Sequence, residues 1–94
     1  MIIVNQDRDK IVNFGNLTQV YITQDEEKIA CFIRFETVDS LYDDLGEYKT
    51  EERAKEVLKE IWEFYEMSKR YECSSNISMT IFLEPKFAYQ MPER

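Results

Sequence analysis

A chain of 94 residues with a hydrophobic share of 44% is long enough for one domain with a modest core and too short to divide, so residues 1–94 are read as a single unit. The 19 acids against 12 bases leave a formal charge of -7, which repels nucleic acid phosphates and favours a basic protein partner. There is no histidine, which removes the commonest general base, the usual catalytic triads and most catalytic zinc chemistry. The N-terminus shows no basic region followed by a long apolar run, so neither a signal peptide nor a membrane span is expected, and the host-cell cytoplasm is the expected location. Cys31 and Cys73 lack the dense spacing of a disulfide framework and are read as free thiols in a reducing compartment.

The chain opens with two short apolar runs, Ile2 to Asn5 and Lys10 to Phe14, around the polar stretch Gln6-Asp7-Arg8-Asp9, which predicts a hairpin. Gly15-Asn16 breaks the pattern, both residues tolerating positive φ, and Thr18 to Gln24 begins a third strand rich in β-branched and aromatic residues. Asp25-Glu26-Glu27 is the next turn. The fourth strand, Lys28 to Thr37, places Ile29, Cys31, Ile33 and Phe35 on one face, which goes to the core. Ala30, Phe32, Arg34 and Glu36 lie on the other, where Phe32 implies partial cover and hence a central strand. Val38-Asp39-Ser40 turns the chain into a fifth strand, Leu41 to Tyr48, completing a meander.

At Thr50 the period changes from two to 3.6. Its hydroxyl suits a helix N-cap, and Glu51 and Glu52 favour the positive end of the helix dipole. On a helical wheel Ala54, Ile61, Trp62 and Tyr65 cluster around Leu58, with Val57 and Ser68 on one flank, predicting a helix from Glu51 to about Arg70 anchored by Leu58, Ile61 and Tyr65. Beyond a polar linker at Glu72 to Asn76, Ile77, Met79, Ile81 and Leu83 alternate with Ser78, Thr80, Phe82 and Glu84 as a strand that Pro85 ends. Phe87, Tyr89 and Met91 alternate again before Pro92. The expected fold class is α+β: an antiparallel meander of about five strands, one amphipathic helix packed on one face and one or two C-terminal strands, either as a PH-like partly closed barrel or as an open sheet.

The segment Met1 to Phe14, the junction Leu45-Gly46-Glu47-Tyr48-Lys49-Thr50-Glu51-Glu52-Arg53-Ala54 and the closing Tyr89-Gln90-Met91-Pro92-Glu93 together resemble a group of small proteins encoded in prophages and mobile elements of Firmicutes. In that group an aspartate often follows the Asn-Phe pair, where this chain has Gly15. The resemblance implies a phage or prophage accessory gene and carries no catalytic residue with it.

Candidate chemistry is sparse. The acidic clusters Asp25-Glu26-Glu27 and Asp43-Asp44 do not match the spacing of a calcium loop, and the first sits where a solvated hairpin turn is expected, so no metal is expected. Cys31 lies in an apolar run with no histidine to activate it and reads as a buried thiol. With only Gly15 and Gly46 there is no glycine-rich phosphate loop, so no nucleotide cofactor is implied. Arg34 and Arg53 with Tyr48 or Trp62 remain the residues that could hold a nucleotide. Glu52, Glu56, Glu60 and Glu63 recur at i, i+4, i+8 and i+11, so carboxylates repeat about every 6 Å along the helix, a row that a basic nucleic-acid groove would accept in place of phosphates.

These observations predict a non-enzymatic binding protein that inhibits a host nucleic-acid-handling defence protein, of the DNA-mimic or anti-CRISPR-like kind, with Glu52, Glu56, Glu60, Glu63, Asp43 and Asp44 as the partner-binding carboxylates. The partner is a host protein with a basic surface, with no direct nucleic acid contact and no membrane. A module that sequesters a small ligand or nucleotide is the second expectation, and a phage structural or assembly protein the third. The oligomeric state is left open by the sequence.

Overall fold

A computed structural model describes residues 1–27, 29–72 and 88–94. The element order is β1 (Ile2–Val4), β2 (Ile11–Asn13), a 3-10 turn at Phe14–Asn16, β3 (Leu17–Gln24), β4 (Cys31–Thr37), β5 (Tyr42–Tyr48), α1 (Glu51–Glu72) and β6 (Ala88–Gln90). The class is α+β as expected, but the strands form two sheets rather than one meander. One sheet has the order β2-β1-β6 and the other β3-β4-β5, and they do not close into a barrel, so the PH-like alternative is set aside. The N-terminal hairpin is antiparallel, and β6 adds to the far side of β1 in parallel, with Ile3 opposite Tyr89. The expected alternating strand from Ile77 to Leu83, Cys73, Pro85 and Phe87 lie outside the described residues.

Turn chemistry explains where the chain reverses. The three-residue loop Val38-Asp39-Ser40 ends with Ser40 in the left-handed region at φ 65, and Thr37 closes it by donating its amide to the Leu41 carbonyl at 2.8 Å. Arg8 takes the same conformation at φ 62 in the first hairpin, where Asn5 accepts the amides of Asp9 and Lys10 on its side-chain oxygen. Positive φ therefore falls on Arg8 and Ser40, and Gly15 and Asn16 instead form the 3-10 turn, capped by the Asn13 side chain, which accepts from the Gly15 amide. Ser40→Gly is expected to stabilise the protein by about 0.5 to 1 kcal/mol, because glycine visits this region without the Cβ penalty. A thermal melt checks this, and a lowered midpoint refutes it.

A bulge joins the two sheets. In the β4–β5 ladder Ile33 faces Gly46 and Arg34 faces Asp44, so Leu45 has no partner on β4. Its carbonyl instead accepts the Gln6 amide at 2.8 Å. The Gln6 side chain accepts from the Glu47 amide at 2.8 Å and donates to the Glu47 carbonyl at 2.9 Å and the Glu93 carbonyl at 3.0 Å. One residue after β1 thus ties the first sheet, the second sheet and the C-terminal tail.

The helix begins as expected, with the Thr50 hydroxyl accepting the Arg53 amide at 3.1 Å, and it extends to Glu72, past the expected end at Arg70. Its buried face is rotated from the expected one. Ala54, Val57, Ile61 and Ser68 are buried with Phe64 packed beside them, whereas Leu58 and Tyr65 are half-buried and Trp62 is 59% exposed. The core runs through both sheets and the helix, from Ile3 and Val12 to Cys31, Ile33, Phe35, Leu45 and Tyr48, and on to Tyr89 and Met91. The alternation in β4 holds for Cys31, Ile33 and Phe35. Ile29 departs from it at 69% exposure, because β4 starts at Cys31 and Ile29 belongs to the preceding turn, where its amide donates to the Asp25 carboxylate. Among the described residues no helix is long and apolar enough to cross a membrane.

Candidate functional site

The carboxylates singled out by the sequence fall in two groups, and the structure keeps them apart. Asp43 and Asp44 lie on β5 beside the first hairpin, where they line a cleft of about 420 Å³ together with Asp7, Asp9 and Glu47 and one lysine, Lys10. No residue of α1 enters this cleft. Asp44 accepts from the Arg34 guanidinium at 2.8 Å, and that guanidinium also lies over the Tyr42 ring, 5.0 Å from its centroid. Asp43 accepts from Lys10 and from the Asp44 amide. The Lys10 hydrogen bond, seconded by that amide, holds the Asp43 carboxyl below the usual aspartate range, and the same contact pushes Lys10 up. Both β5 aspartates thus have cationic partners, Lys10 for Asp43 and Arg34 for Asp44. The other carboxylates of the cleft are Asp7, Asp9 and Glu47, which the sequence offers only as residues of the first turn and of the fifth strand.

The second group is the helix row. Glu52, Glu56, Glu60 and Glu63 are all exposed on α1, as their spacing predicts. Three of the four have neighbours that fix them. Glu56 accepts from Arg53 at 2.9 Å, Glu63 lies 3.9 Å from Lys59, and Glu60 accepts the Tyr89 hydroxyl at 2.9 Å. Burial, aided by the Glu60 carboxylate, pushes Tyr89 upward, so its hydroxyl stays protonated and donating. Glu60 therefore also fastens the C-terminal strand to the helix.

Further depressions lie on the described surface, two of which bear on the residues considered for a nucleotide. The larger, about 680 Å³, lies between the start of α1 and the tail and is lined by Gln6, Ile29, Tyr48, Lys49, Arg53 and Arg94 among others. Tyr48 is 2% exposed and donates its hydroxyl to the Pro92 carbonyl at 2.8 Å, while Arg53 donates to the Arg94 carbonyl at 2.8 Å. A groove of about 470 Å³ beside α1 is lined by Phe14, Val20, Leu58, Ile61 and Trp62 with Lys55 and Lys59. The four residues considered for a nucleotide are thereby separated: Arg53 and Tyr48 share one cleft, Trp62 lies on the groove, and Arg34 is engaged with Asp44 and Tyr42. Among the described residues no three carboxylate or cysteine side chains converge on a metal-sized site. Cys31 is buried at 4% exposure, with Gln24 donating to its sulfur at 3.5 Å.

Over the described residues, fold and surface define a small α+β protein that displays grouped carboxylates. No protein family, curated protein or solved structure matches the chain.

Proposed function

We propose that the chain is a small acidic accessory protein of phage or prophage origin that works in the host cytoplasm by binding and blocking a basic host protein, one that handles nucleic acid in defence. The observation that carries the reading is the exposed row Glu52, Glu56, Glu60 and Glu63 on one face of a single long helix. A rigid helix holds these carboxylates about 6 Å apart along its axis, so a phosphate-binding groove can meet them with little reorganisation. Arg53 and Tyr89 orient Glu56 and Glu60, which lowers the entropy lost when a partner engages them. The prophage setting rests on the resemblance of the terminal and junction segments. With no histidine and no glycine-rich loop, binding accounts for these features better than catalysis does.

The test reverses charge where the fold does not need it. Glu60 is spared because it holds Tyr89, and the double variant Glu52→Lys/Glu63→Lys is used. Against the basic protein captured by the wild-type chain from host lysate, the variant is expected to associate at least about tenfold more slowly at about 50 mM salt, with the two rates converging near 0.5 M. Equal rates at low salt remove the row from the mechanism. Release of a bound small molecule from the purified chain, with no protein captured, would instead favour the small-ligand reading, for which the 680 Å³ cleft, where Lys49, Arg53 and Arg94 stand beside Glu47 and Glu93, has suitable size.

A further inference from the structure

Among the described residues one exposed face of α1 is complementary to itself, and its charges are already partnered along the helix, Lys55 with Glu51 at 3.3 Å and Lys69 over the Tyr65 ring at 5.5 Å. At 100° per residue Glu51, Lys55, Leu58, Trp62, Glu66 and Lys69 fall within about 80° of arc, a single stripe beside the buried face. All are exposed except Leu58, which is half-buried. Read from the N-terminal end, the stripe runs acid, base, apolar, apolar, acid, base. Read backwards, it has the opposite sign at every charged position and apolar residues again at the centre.

From this we infer that two copies of the chain pair through α1, antiparallel, about a two-fold axis near position 60. That register sets Glu51 opposite the second copy's Lys69, Lys55 opposite its Glu66, and Leu58 opposite its Trp62, each contact occurring twice. Parallel in-register pairing sets Glu51 against Glu51 and Lys55 against Lys55, which the antiparallel register avoids. The receiving surface is already formed. Trp62, the only tryptophan and 59% exposed, stands at the groove lined by Phe14, Val20, Leu58 and Ile61. In this arrangement the second copy's indole comes down on Leu58 and covers that groove, with Lys55 and Lys59 at its lip. A large aromatic seated in an apolar groove and rimmed by opposite charges is the usual make-up of an interface hot spot. A second copy is the occupant because the charge order matches its own reverse.

Sedimentation velocity of the full chain from about 1 to 500 µM, together with the emission maximum of the single tryptophan, tests the pairing. The wild-type chain is expected to sediment as a dimer in the upper part of this range, with a blue shift as concentration rises. Trp62→Ala, at an exposed position, is expected to weaken dimerisation at least tenfold without altering the circular dichroism spectrum. Lys55→Glu, which sets a glutamate against Glu66, is expected to do the same, and Lys55→Glu/Glu66→Lys to restore the dimer. A wild-type chain that is monomeric throughout, a dimer indifferent to Trp62→Ala or Lys55→Glu, or a double variant that stays monomeric overturns the inference. None of these residues belongs to the row Glu52, Glu56, Glu60 and Glu63, so the pairing and the host-protein reading fail separately.

Discussion

Ile61→Ala is expected to destabilise the domain by about 2 to 5 kcal/mol and lower its melting temperature by more than about 10 °C. Ile61 is 2% exposed at the middle of α1 and lies in the one core that includes Ile33 and Leu45 of the second sheet and Ile3 of the first. Truncating it removes apolar contacts from that core and leaves a cavity in it. Leu58→Ala, at a half-buried position on the rim of that face, is expected to cost about 1 to 2 kcal/mol, and Glu52→Ala, fully in water, about 0.5 or less. Melts at low micromolar concentration, below dimer formation, give the comparison. Equal losses for Ile61 and Leu58 would return the buried face to the position that the sequence pattern implied.

The rotation of that face shows why the helix was legible and its docking angle was not. Periodicity marks an apolar arc, and in this chain the arc is broad, from Phe64 and Val57 round to Leu58 and Trp62. It is wider than the sheets can cover, and which part is buried depends on what packs against it. Small Ala54 and Ser68 turn inward because they let the helix approach the strands closely, an effect of shape on which hydrophobicity is silent. The N-cap at Thr50 and the first hairpin were legible because both rest on contacts within a few residues. The division into two sheets was not. It depends on the bulge at Leu45 and on the reach of Gln6 to Glu47 and Glu93, contacts some 40 to 90 residues away in sequence that no local pattern encodes.

The candidate site divides in the same way. The helix row could be read from spacing alone, since i, i+4 positions share a face whatever the tertiary fold. Asp43 and Asp44 looked equivalent to it in sequence, yet the fold pairs them with Lys10 and Arg34. Asp7, Asp9 and Glu47 join them only because the hairpin lies against β5. The stripe is hidden in the sequence for a physical reason: Leu58 and Trp62 are apolar and fall in the same arc as the core residues, and their exposure follows only from the strands taking the neighbouring face.

Tyr48 makes the domain sensitive to alkali. Burial pushes its hydroxyl up to about 12, above the value near 10 of a tyrosine in water, and the protonated form is the one that donates to Pro92. Because the folded state holds the proton more tightly than the unfolded state, this stabilisation is complete below about pH 10 and is lost as pH rises from 10 through 12. A difference of that size is worth about 2 to 3 kcal/mol, a large share of a small domain's stability. Tyr89, raised by the same cause and with its hydroxyl on Glu60, acts in the same direction, whereas the exposed Lys10–Asp43 pair is screened by water and contributes little. Urea midpoints measured between about pH 9 and 12, with tyrosinate absorbance followed in parallel, are expected to fall steeply in the upper half of that range. Tyr48→Phe keeps the buried ring, loses the hydrogen bond to Pro92 and has no proton to release, so it is expected to be less stable at neutral pH and to show a shallower alkaline loss. An alkaline slope unchanged by that substitution would mean that the Tyr48 hydroxyl ionises as freely in the fold as in water, and that the tail is held at Pro92 by something other than this contact.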